Sequence, residues 1–167
     1  MRINKYQSHL LVLPEDDANR QIANGFLLAP KLNSSAIQVL PEARGWKNVV
    51  DKFTKDYAST MRQYSQRMIV LLIDFDQDED RLDYVKQHIP SDLEDRVFVL
   101  GVLSEPERLR SDINKDFEEI GETLANDCPD DTNELWGHEL LKHNKTELDR
   151  IVSSVKSFLF NKGLLNK

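Results

Sequence analysis

The chain has 167 residues, of which 40% are hydrophobic and 31% charged, an ordinary globular composition with room for one sizeable core. Its formal charge of −7 argues against non-specific attraction to nucleic acid through a basic surface, because phosphate contacts need Lys and Arg. The single cysteine, Cys128, excludes an internal disulfide and a Cys-rich zinc site.

The first apolar run lies in "MRINKYQSHLLVLPEDD", which starts basic but is too short for a signal-peptide core. No segment approaches the ~18 apolar residues of a membrane span. A cytoplasmic protein without a membrane partner is the expectation. "HLLVLP" (9–14) reads as the first strand, and 16–28 as a helix with Ile22 and Phe26 on one side. "AIQVLP" (36–41) is a second strand. Between Trp46 and Tyr64 the apolar set Trp46, Val49, Val50, Phe53, Tyr57, Met61 and Tyr64 follows helical spacing. "MIVLLIDF" (68–75) is apolar at every position before Asp74, as expected of a strand covered on both faces.

A short helix follows over 78–89, then a fourth strand in "RVFVLGVL" (96–103). Beyond about residue 104 the pattern is helical only. Phe117, Ile120 and Leu124 share a face, as do Leu135, Trp136 and Leu140, and Leu148 to Leu159 make an amphipathic last helix. "NKTE" (144–147) reads as its cap, Asn144 answered by Glu147. The pattern predicts one α/β domain over 1–167. An open, mainly parallel four-stranded sheet with flanking helices occupies 8–105, and a helical extension over 106–167 packs on it.

In such sheets ligands gather beyond the carboxyl ends of the strands. Three of the predicted strands end in acids there: Glu15 and Asp16 after the first, Asp74, Asp76 and Asp78 after the third, Glu105 and Glu107 after the fourth. If strands one and three are neighbours, Glu15 and Asp74 meet at one rim. Converging carboxylates suit a hard cation such as Mg²⁺ or Mn²⁺. Residues two apart in a strand share a face, so Asp74 and Asp76 are expected to address one ion, with Phe75 turned into the core. Each acid also has a local reading. Asp76 or Asp78 would cap the next helix, Asp16 or Asp17 the first one, and Ser104 with Glu107 would form a capping box. Arg20, and Arg44 with Lys47 near the end of the second strand, are the basic candidates for a phosphate contact. A calcium loop in "DFDQDED" is rejected: its sixth position is Glu79 where Gly is needed, and its twelfth is Val85 where Glu is needed.

An apolar strand ending in Glu15, a helix, and a later strand ending in Asp74-Phe75-Asp76 resembles the topoisomerase–primase (Toprim) catalytic domain. The likeness, over roughly 8–105, is nearest to its small stand-alone and overcoming-lysogenization-defect-type nucleases. The resemblance implies that Glu15 acts as metal ligand or general acid/base. It also implies that Asp74 and Asp76 hold magnesium, that Glu105 or Glu107 assists a second metal, and that the substrate is nucleic acid. Asp16 stands where the family commonly has Gly, and Asn19 where a further acid is common. A receiver domain is a rival α/β reading, with Glu15 and Asp16 as its acidic pair and Asp74 as its phosphoacceptor, but no fifth strand ending in Lys is visible.

His9, His88, His138 and His143 read as surface or capping residues, Trp136 as core, and Cys128 as unreactive. Two functions follow: a magnesium-dependent nuclease or phosphoryl-transfer enzyme, or a non-catalytic regulatory module that binds a protein partner through its acidic rim or helical tail.

Overall fold

The computed structural model describes residues 3–78, 80–128 and 135–160. Four strands, β1 (His9–Pro14), β2 (Ile37–Val39), β3 (Arg67–Leu72) and β4 (Val97–Leu100), form one sheet in the order β2–β1–β3–β4. All three pairings are parallel, and β1 aligns with β3 from His9 opposite Arg67 to Pro14 opposite Leu72. The open α/β sheet expected from the apolar runs is therefore present, with helices on both faces and a C-terminal helix.

The pleat of β1 divides the core. Leu10 and Val12 face one layer with Val70 and Phe98, and Leu11 and Leu13 face the other with Ile69, Leu71 and Val99. Each such fully buried aliphatic side chain contributes roughly 1.5–3 kcal/mol of transfer free energy. Helix α1 (Asp17–Phe26) connects β1 to β2 over the first face. The return to β3 crosses the second face as α2 (Trp46–Lys52), a π-helical turn (Phe53–Tyr57) and α3 (Ala58–Gln63). The π turn has a reason in the sequence. Phe53, Tyr57 and Met61 recur every four residues, a spacing that drifts about 40° per step around an α-helix, and a wider turn takes up that drift. Phe53 and Met61 are both fully buried. Helix α4 (Asp80–Gln87) then carries the chain from β3 to β4 on this second face.

The extension comprises α5 (Pro106–Ile113), α6 (Phe117–Asp127) and α7 (Lys145–Leu159), all on the first face. Asp116 and Glu119 make a reciprocal capping box that starts α6. Helices α1 and α6 touch backbone to backbone, because a Cβ on Gly121 would lie 1.9 Å from the Ile22 carbonyl oxygen, and one on Gly25 would lie 2.0 Å from that of Glu118. Among the described residues no helix is long and apolar enough to cross a membrane.

Two expectations for the tail are corrected. Leu135, Trp136 and Leu140 lie in turns rather than on a helix. All three are nevertheless buried in the core, where the Trp136 indole N–H donates to the Leu124 carbonyl at 3.0 Å. Asn144 and Glu147 do not form a capping box. Asn144 is helical in backbone conformation and makes no cap hydrogen bond. Its amide instead pairs with Gly101, accepting from the N–H at 3.1 Å and donating to the carbonyl at 2.9 Å, while Glu147 Oε1 accepts from the Val99 N–H at 3.1 Å. Both side chains thus satisfy the outer edge of β4, which would otherwise expose unpaired amides. That is the edge a fifth strand would occupy in a receiver-type order, and no such strand is found among the described residues.

Candidate metal centre at the sheet switch point

From β1 the chain first moves outward to β2 on one face, then back past β1 to β3 on the other. The carboxyl ends of β1 and β3 therefore flank the point where the winding reverses, the usual place for a ligand crevice. Glu15 continues β1, its N–H donating to the Leu72 carbonyl at 2.8 Å. Its Oε1 accepts from the Asp74 N–H at 2.8 Å, which fixes the two chain ends against each other. Asp16 caps α1, accepting from the Asn19 N–H at 3.0 Å. Capping and site membership are not exclusive here, because the cap holds the Asp16 carboxylate beside Asp74.

Glu15, Asp16 and Asp74, all half-buried, each present a carboxylate oxygen within 4.8 Å of the others. Burial pushes the Asp74 pKa up to about 8, opposed by the Asn19 amide and reinforced by the negative charges of Asp16 and Glu15. Glu15 is also raised, first by burial and then by Asp16, although the Asp74 N–H and the Arg81 guanidinium oppose the shift. A hydrogen bond between the Asp74 and Asp16 carboxyls adds to the rise at Asp74.

Asn19 sits beneath the trio and is 1% exposed. Its Nδ2 donates to Asp16 Oδ1 and to Asp74 Oδ1, both at 2.9 Å, whereas its Oδ1 is buried without a partner. Arg81, from the first turn of α4, reaches back to donate to the Asp74 carbonyl at 2.8 Å and lies over the Trp46 ring at 4.9 Å. These are the two site neighbours that the sequence reading did not assign. The signals were present: Asn19 follows Asp16 by one helical turn, and Arg81 stands in the opening turn of the helix after Asp74.

The remaining candidates are placed elsewhere. The chain does not stay extended to Asp76, because Asp76 and Gln77 adopt φ values of 50° and 56°. The Asp76 side chain is 74% exposed and faces Arg81, so it stands outside the trio and only adds negative potential to Glu15. Phe75 does turn into the core. Asp78 accepts from the Asp80 N–H at 3.0 Å at the start of α4, the local role; the Glu79 position lies outside the described residues. Glu105 and Glu107 are exposed on α5 and take no part in the trio. The Ser104–Glu107 capping box is not formed: Glu105 is the cap residue, and the Ser104 hydroxyl is buried without a partner. Arg20 is engaged by Asp17 and Glu42. The Arg44 and Gly45 N–H groups both donate to the Glu15 carbonyl, at 2.7 and 3.2 Å, so this loop runs along the rim with the Arg44 side chain exposed. Lys47 lies over the rings of Trp46 and Tyr84.

His9 is not a surface residue. It is 1% exposed, donates from Nδ1 to the Gln7 carbonyl at 2.7 Å and accepts the Arg67 Nε–H at Nε2, 2.9 Å away. Cys128 is buried with its thiol pKa pushed up to about 12 by burial, so it is no nucleophile.

The donor set fits a hard divalent cation. Every available ligand atom is oxygen, the carboxylates outnumber the nearby guanidinium, and one buried carbonyl-type oxygen has nothing to bind. No protein-family model, curated protein or solved structure matches the chain.

Proposed function

We propose that this chain is a Mg²⁺- or Mn²⁺-dependent phosphodiester-cleaving or phosphoryl-transfer enzyme acting on nucleic acid, of the topoisomerase–primase type. Its metal-holding set is Glu15, Asp16 and Asp74, with Asp16 in the place expected for Asp76. The observation that carries this reading is the close approach of three carboxylates at the switch point of the sheet, above an asparagine oxygen with no partner. A cation held there supplies neutralisation of developing phosphate charge and a more acidic bound water. The chain's own contribution is to fix the ligands. The Asp74 N–H immobilises Glu15, the α1 cap immobilises Asp16, and Asn19 Nδ2 bridges Asp16 to Asp74. Glu15 Oε2, which accepts no hydrogen bond from a described residue, is the free oxygen for a proton on the attacking or leaving group. A cytoplasmic setting belongs to the same reading, since an unpaired thiol such as Cys128 is stable there.

The test is cleavage of labelled single- and double-stranded oligonucleotides with Mg²⁺ or Mn²⁺ against a chelator control. The expected result is metal-dependent cleavage that falls roughly 10²–10⁴-fold in Glu15→Gln and Asp74→Asn. Wild-type protein that binds the cation but cuts nothing, and is instead recovered with a protein partner, would favour the regulatory module and sink the enzymatic reading.

A further inference from the structure

We infer that the aromatic ridge beside the carboxylate trio, formed by Trp46, Tyr84 and His88 with Lys47 and Arg44 along it, binds a single-stranded segment of nucleic acid and leads its backbone to the trio. The inference rests on the phosphodiester reading above and names the form of its substrate. The Trp46 and Tyr84 rings meet edge to face at 5.1 Å, and the Tyr84 and His88 rings follow at 4.4 Å and a 33° tilt. Arg81 joins this ridge to the site. Its guanidinium lies over Trp46 at 4.9 Å and donates to the Asp74 carbonyl, so one planar cation separates the first ring from the trio.

Arg81 and Tyr84 on α4 and His88 just beyond its end fall at i, i+3 and i+7, within about 60° of one another around the helix; Asp80, four residues before Tyr84, shares that side, whereas Asp83 is turned about 100° or more away. Lys47 Nζ lies 5.5 Å from the Trp46 ring centre and 5.7 Å from that of Tyr84. Neither Lys47 nor the exposed Arg44 is ion-paired with a described residue, unlike Arg150, which stacks on Phe98 but also pairs with Glu147. Rings in file with free cations beside them match the chemistry that holds unpaired bases by their faces and tracks phosphates alongside. A duplex keeps those faces stacked within itself and offers the ridge only its backbone.

The test is binding of a short labelled oligothymidylate to the full chain, with Ca²⁺ replacing Mg²⁺ and the equivalent duplex as comparison. Expected are quenching of Trp46 emission over the constant signal of buried Trp136 and tighter binding of the single strand. Affinity should fall roughly tenfold or more in Trp46→Ala and be largely retained in Trp46→Phe. Lys47→Gln should lower the salt dependence of binding by roughly one phosphate contact. Trp46→Ala and Lys47→Gln that both bind like the parent, a duplex bound as tightly as the single strand, or no binding to either would overturn the inference. Thermal stabilisation by Mn²⁺ is read in parallel: if it persists while the ridge variants change nothing, the metal reading stands without the ridge. If it is absent while Trp46→Ala still weakens binding, the ridge stands without the metal.

Discussion

Glu147, on α7 against the β4 edge, and Asp74, just beyond β3, are both carboxylates held largely out of water, and their surroundings are opposite. Glu147 is 6% exposed and burial alone would raise its pKa, yet Lys86 at 2.6 Å, the Arg150 guanidinium and the Val99 N–H hold it below the usual carboxylate range. Asp74 has two other carboxylates for company, and Arg81 reaches its backbone carbonyl rather than its side chain. One acid is built into the fold with its countercharges supplied. The other is left short of positive charge at the place where open sheets bind ligands, and that deficit is what a cation would fill.

Removing each acid should therefore act in opposite directions. Glu147→Ala leaves Arg150 Nη1 and the Val99 N–H without their acceptor and should destabilise the chain by about 3 kcal/mol in denaturant unfolding. Asp74→Asn keeps the shape and the acceptor for Asn19 while removing repulsion. At pH 8 without metal it should stabilise the chain by about 1 kcal/mol. Equal destabilisation by both would break the comparison.

The pH dependence sharpens it. A carboxyl whose folded pKa is raised to about 8 contributes stability that is complete below pH 4 and lost as pH rises toward 8. Glu147, with a lowered pKa, contributes stability present above pH 4.5 and lost as pH falls further. His9 is lowered by burial and by Arg67, so its contribution is complete above pH 6.5 and declines as pH drops below that value. Metal-free protein should accordingly weaken between pH 6.5 and 8. Asp74→Asn should remove that decline and leave only the acid-side losses, as thermal melts in a buffer series would show. A variant with the same alkaline slope as the parent would count against the trio as its source. The smallest expected effect is that of Lys86→Met, under about 1 kcal/mol, because Lys86 is 40% exposed and Arg150 remains beside Glu147.

Strand β1 was legible residue for residue, and β3 in place but carried three residues too far, because uninterrupted apolar runs bounded by polar residues have few other homes. The meeting of Glu15 with Asp74 followed from the pairing of those two strands. Asp76 was misplaced because a two-residue period was extended past the end of the strand, where the backbone turns left-handed at Asp76 and Gln77. Asn144 and Glu147 were read as a cap because a side chain that satisfies a helix N–H satisfies a strand N–H equally well, and only tertiary structure decides which lies nearer. Arg81 and Asn19 went unassigned for a related reason: their roles depend on how a helix start folds back over a neighbouring strand end, which local pattern does not encode.

The most direct measurement is the anomalous difference map of a crystal soaked in Mn²⁺ at pH 8. One strong peak is expected among Glu15, Asp16 and Asp74, within about 2–2.5 Å of an oxygen from each, and no peak there in Asp74→Asn. A well-ordered map at saturating Mn²⁺ with no peak among the three, Asp74 and Asp16 remaining in hydrogen-bonding contact, would contradict it.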